Sequence, residues 1–160
     1  MNKKNSAIES EDSAIYQVAR FIAIYDVYKN LISTKQNFNY FISEDFSKEN
    51  MLVVYLSSLY SLFDDQKSAQ SLQKINFQNQ DIENLRIEII NDWLKIKDSL
   101  KIIRHNIGFH TSKKIEGQKK ATQEFANSNN TPHELTQKLI ELYIKYLEKK
   151  ITKYNIGFKK

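Results

Sequence analysis

Cysteine is absent from the 160 residues, so neither a disulfide nor a thiolate metal site can be built, and the chain suits a reducing compartment. Glycine and proline are scarce, at three and one. Few turn formers mean long elements, and with abundant Leu, Ile, Lys, Glu and Gln those elements are predicted to be helices. Long apolar runs are also missing. The longest stretch without charge, 50–63, has 14 residues, short of the roughly 20 that a bilayer-spanning helix needs. The opening MNKKNSAIESEDSAI carries a Lys pair and then acids where a secretory leader has its apolar segment. A soluble cytoplasmic protein with no membrane partner is predicted. No linker rich in Pro, Gly or Ser and no repeat of solenoid length divides the chain. The expected layout is one helical domain over 13–154, with a flexible arm at 1–12 and a basic tail at 155–160.

Four helical segments carry the apolar pattern. The first is predicted from about Ser13 to Ser33, with Ile15, Val18, Ile22 and Tyr25 on one face, widened by Phe21, Ile24, Tyr28 and Leu31. The second, from about Ser47 to Ser71, opens on the apolar MLVVYLSSLYSLF. The third, from Gln80 to Ile107, has the cleanest stripe: Ile82, Leu85, Ile89, Trp93, Ile96, Leu100, Ile103 and Ile107 advance in steps of three or four. The fourth opens at TPHE, where Thr131 reads as N-cap, Pro132 as the first helical residue and Glu134 as the capping-box partner. It continues through Leu135, Leu139, Leu142 and Tyr146. No segment alternates with period two, so the predicted fold is all-α: a bundle of four main helices, with a short extra helix or loop between the third and fourth.

Acids become rare past residue 100. Residues 1–100 hold 11 Lys and Arg against 14 Asp and Glu, whereas 101–160 hold 13 against 5. A basic surface of this kind suits a polyanion, although a solvated lysine face has the same composition. Within the basic part lies IIRHNIGFHTSKK, 102–114, with two of the three histidines and one of the three arginines. Its core NIGF recurs at 155–158 after the fourth helix, with lysines as its only charged neighbours. NIGF therefore reads as a helix terminator, with Gly108 taking the left-handed conformation. The chemistry falls to Arg104 and His110 on either side. An unbroken helix would leave these two about 120° apart around its axis, and a break at Gly108 lets them converge.

An Arg, a polar residue and then His after four to six intervening positions resembles the signature of the HEPN superfamily. It reads here Arg104-His105-Asn106-Ile107-Gly108-Phe109-His110. The resemblance extends to the layout, a helical bundle of this size with the motif where the third long helix ends. It implies a small helical homodimer, either a metal-independent endoribonuclease of a toxin–antitoxin or abortive-infection system or an inactive relative that binds RNA or protein. It also implies that Arg104 and His110 from both chains line one cleft. In the branch paired with minimal nucleotidyltransferases a Tyr stands two residues after the motif His; here Ser112 does, so the abortive-infection type is the nearer resemblance.

The residue types fit that chemistry on their own terms. Cleavage of RNA needs a proton taken from the 2′-hydroxyl and one given to the leaving 5′-oxygen, and a histidine titrating near neutrality does either. The charge that builds on phosphorus suits a permanent planar cation. His105 and Asn106 are candidates for support, and Lys113, Lys114, Lys119 and Lys120 for holding the RNA backbone. No cofactor and no metal are expected, because His105 and His110 are not spaced i, i+4 and no carboxylate lies between them. The plain alternative is that Arg104 and His110 only cap carbonyls at a helix end. His133, in the first turn of the fourth helix, reads as a surface residue.

Overall fold

The computed structural model describes residues 3–33, 44–64, 71–107, 123 and 131–155. Among them the fold is the four-helix bundle expected from the sequence, with no strand: α1 (Lys3–Ser33), α2 (Glu44–Ser61), α3 (Gln80–Ile107) and α4 (Thr131–Asn155), plus a 3-10 turn at Leu72–Lys74. Neighbouring helices pack in the order α1–α2–α3–α4 and back to α1, so α1 and α3 lie across a diagonal. No described helix is long and apolar enough to cross a membrane.

The periodic positions form one core. Val18, Leu59, Ile89, Leu139 and Leu142 have no exposed surface, and Phe21, Trp93, Leu100 and Leu135 have almost none. Burying each such side chain stabilises the fold by about 1.5–3 kcal/mol before chain entropy is counted. The aromatics pack in two groups. Tyr55 on α2 lies against Phe21, Tyr25 and Tyr28 of α1, the last parallel at 5.1 Å between centroids. Trp93 on α3 stacks on Phe63 at 4.6 Å and meets Tyr60 edge-on at 5.2 Å.

Two boundaries differ from the sequence pattern. Helix α1 begins at Lys3, through residues expected to form a flexible arm. Its apolar stripe is interrupted by Glu11, which is buried because its carboxylate accepts the Gln78 N–H at 2.7 Å. Next to it, Asp12 binds both the Tyr146 hydroxyl, at 2.7 Å, and Lys150. Helix α2 stops at Ser61, ten residues early. Its last carbonyls, those of Leu59, Tyr60 and Ser61, accept from the N–H groups of Leu62, Phe63 and Asp64. The two carbonyls just beyond are taken by returning chain: Leu72 N–H donates to Leu62 O at 2.9 Å and the Gln73 amide to Phe63 O. Leu72, Ile75 and Phe77 are buried there, filling the core beside α3 where nearly three further turns of α2 were expected.

The start of α3 is held by Asn79, whose Oδ1 accepts from the N–H groups of Asp81 and Ile82 at 3.1 and 3.2 Å. Helix α4 starts at Thr131, leaving Pro132 in the first turn, where its missing N–H costs nothing.

Candidate functional site

Helices α3 and α4 run antiparallel. Lys138 on α4 bridges Glu88 and Asp92 of α3 at 2.6 and 2.7 Å, and further along Lys145 and Lys149 share a groove with Asp81. The beginning of α4 therefore lies beside the second half of α3. The last turns of α3 reach the pole of the bundle where α1 ends and α2 and α4 begin.

Those turns carry the backbone of Arg104, His105 and Asn106, whose side chains lie outside the described residues. The helix is continuous from the buried Trp93, Ile96 and Leu100 through Arg104 to Ile107, the residue before Gly108. Arg104 stands seven residues after Lys97 and three after Lys101. The 3.6-residue period puts Arg104 within about 20° of Lys97 around the helix axis. His110, Lys113, Lys114, Lys119 and Lys120 lie outside the described residues. So does the rest of the 108–130 connection except Gln123, which is helical and exposed.

The third histidine has a partner that the sequence did not suggest. His133 is exposed, yet its Nδ1 is hydrogen-bonded to the hydroxyl of the buried Tyr25, and the two rings lie 5.6 Å apart. Burial pushes the Tyr25 hydroxyl up from its ordinary value, with the Gln137 amide partly offsetting it. Deeper in, Tyr55 is pushed up further by burial against the partial relief of its contact with Thr136. His133 meets α1, whereas Lys138, five residues later, meets α3, so His133 is turned away from the helix that carries Arg104.

Arg86 is the other functional-looking residue that sequence reasoning passed over. Its guanidinium, almost fully buried, holds both oxygens of Glu83 at 2.5 and 2.9 Å, the Leu72 carbonyl at 2.9 Å and the Asn76 amide oxygen at 3.3 Å. Burial alone would push the Glu83 carboxyl up, but the Arg86 fork and the Phe77 N–H together hold it below the usual carboxylate range. All the described partners of Arg86 belong to this clasp between α3 and the 71–79 segment, so it is a structural arginine. The i, i+3 Glu83–Arg86 spacing was the only local hint of it.

Among the described residues no group of three His, Cys, Asp or Glu side chains could hold a metal ion. No protein-family model, no curated protein and no solved structure matches the chain.

Proposed function

We propose that the chain is a homodimeric, metal-independent endoribonuclease of the HEPN type, acting as a toxin or in abortive-infection defence. The observation that supports this most is the position of Arg104. It lies on the last turns of α3, anchored by the buried Trp93, Ile96 and Leu100, with Gly108 and then His110 following in sequence.

In this reading His110 removes the 2′-hydroxyl proton as that oxygen attacks the adjacent phosphorus. Arg104 balances charge on the non-bridging oxygens. The bond from phosphorus to the 5′-oxygen breaks, and the leaving oxygen takes a proton from His110 of the second chain across the two-fold axis. The products are a 2′,3′-cyclic phosphate and a 5′-hydroxyl, and neither metal nor cofactor takes part. His105 and Asn106 support the site, and Lys113, Lys114, Lys119 and Lys120 draw in the backbone. A toxin of this kind implies a small antitoxin protein as its regulator.

A second reading, a catalytically silent bundle that binds RNA or protein, is favoured by one observation. Ile144, Leu147 and Ile151 form an exposed apolar stripe on α4. Tyr16, one turn past the Asp12 that pairs with Lys150, is exposed on the adjoining α1.

Incubation of mixed RNA in EDTA with the wild type, Arg104→Ala and His110→Ala separates the two. Cleavage by the wild type alone supports the ribonuclease, and equal RNA loss in all three preparations contradicts it. Salt-dependent RNA binding without cleavage supports the silent bundle.

A further inference from the structure

Between α2, the 71–79 segment and α3 lies a hollow of about 160 Å³. Tyr60 is its one partly exposed ring, backed by the buried Phe63 and Trp93, and Gln73, Lys97, Asp98 and Lys101 form its polar rim. We infer that this hollow is a nucleotide subsite, which takes one base of a single-stranded RNA against Tyr60 and the flanking phosphates on Lys97 and Lys101. The inference rests on the ribonuclease reading in one respect only, that the bound strand runs on towards Arg104.

Size comes first. Pockets for drug-sized ligands occupy roughly 300–1,000 Å³, so this one admits a single ring system and little more. Its aromatic wall is rigid. Trp93 is 2% exposed and stacked on Phe63 within 10° of parallel, and Tyr60, half-buried, stands at 77° to Trp93. A ring fixed in this way binds a planar base at little entropic cost, and stacking is tolerant of which base it is.

Charge comes second. Lys95, Lys138, Lys145 and Lys150 are each held by a carboxylate. Lys97 and Lys101 are exposed and form no ion pair among the described residues. They stand one turn apart, about 6 Å along the helix axis, and can therefore meet successive phosphates of an extended strand. Asp98 shares the rim to one side of them, where a carboxylate accepts hydrogen bonds from an exocyclic base amine and repels a phosphate. The rim thus sorts base from backbone.

Register comes third. Lys97, Lys101 and Arg104 follow at steps of four and three along one side of α3, so the hollow opens onto the helix face that leads to Arg104. About 10 Å of helix separates Lys97 from Arg104, which places the subsite one or two nucleotides from the bond to be cleaved.

Trp93 is the only tryptophan in the chain, so its emission reports on the hollow directly. The test is a fluorescence titration of the full chain with a 2′-O-methyl hexaadenylate, which cannot be cleaved, beside tripolyphosphate and a polyglutamate peptide. The expected result is a saturable change in emission with the hexamer alone. Replacing both lysines (Lys97→Gln with Lys101→Gln) weakens hexamer binding about tenfold, and the loss of two phosphate contacts lowers the slope of log K against log salt by about 1.4. Tyr60→Leu removes the emission change; if that variant loses helicity, the exposed lysines decide the matter.

Hexamer binding without an emission change, with affinity unaltered in the lysine variant, overturns the inference while leaving the ribonuclease reading intact. An equal response to tripolyphosphate or to the peptide also overturns it, as a plain anion patch or a protein-docking site. An emission change with no RNA cleavage in EDTA upholds the subsite and refutes the ribonuclease. No hexamer binding at all refutes the subsite outright.

Discussion

The Tyr55 hydroxyl on α2 lies 2.7 Å from Oγ1 of Thr136 on α4, and both groups reach the Pro132 carbonyl, at 3.0 and 2.8 Å. Two hydroxyl protons serve three contacts, so two hydrogen bonds form at any moment. Removing either hydroxyl leaves the other one able to donate to Pro132. Tyr55→Phe and Thr136→Val are each expected to cost about 1 kcal/mol, lowering Tm by about 2–4 °C for a domain of this size. Measured together in urea, the two losses will not add, because the groups share one acceptor.

Arg86 gives a larger effect. Arg86→Ala removes four hydrogen bonds and leaves the Glu83 carboxylate, 15% exposed, with only the Phe77 N–H described as its partner. Breaking a buried pair in this way costs about 3–5 kcal/mol. Arg86→Lys restores little of it, because an ammonium cannot hold both Glu83 oxygens and two carbonyl-type acceptors in one plane. Urea unfolding of both variants checks this; a lysine variant as stable as the wild type would contradict the fork.

Acid should unfold the protein through the same contacts. Lys138 and then Lys95 hold the Asp92 carboxyl below its ordinary 3.8, and Arg86 holds Glu83 below its ordinary 4.5. In each case the unfolded chain binds the proton more readily. Their stabilisation is complete above those ordinary values and is lost as pH falls through the lower folded ones. Unfolding free energy measured from pH 6 to pH 2.5 is expected to decline most steeply below about 4.5. Lys138→Met should flatten part of that decline.

Glu11 carries the opposite sign. Burial, more than the Gln78 N–H can offset, and the neighbouring Asp12 push its carboxyl above 4.5. Its ionised form is therefore disfavoured in the folded chain, a penalty present above the folded pKa and absent in acid. Glu11→Gln keeps an oxygen for the Gln78 N–H and removes the charge. Tm should rise at pH 7, and the gain should vanish near pH 4; a lower Tm at pH 7 would contradict this account.

The contrast between α3 and α2 shows what the sequence made legible. Helix α3 was readable to both ends because one apolar stripe sets its buried face and Asn79 caps it locally. The end of α2 was not, because the carbonyls just past it, on Leu62 and Phe63, are satisfied by Leu72 and Gln73, about ten residues on, with no Gly or Pro to mark the stop. The early start of α1 was hidden for a related reason: Glu11 occupies a core-facing position, bound to a backbone N–H that only the folded chain brings near. The position of Arg104, His105 and Asn106 on the closing turns of α3 was legible from the same stripe. The hollow beside them was not, since Tyr60, Trp93 and Lys97 come from two helices whose packing no local pattern reveals.

The most direct test of the ribonuclease account is cleavage of one defined RNA, in EDTA, with and without a 2′-deoxy sugar at the bond it prefers. The account predicts a 2′,3′-cyclic phosphate end from the all-ribose strand, and no cut at that bond in the deoxy strand. It predicts no cut in either strand by Arg104→Ala or His110→Ala. Cleavage of the deoxy bond, or undiminished cleavage by His110→Ala, would contradict it.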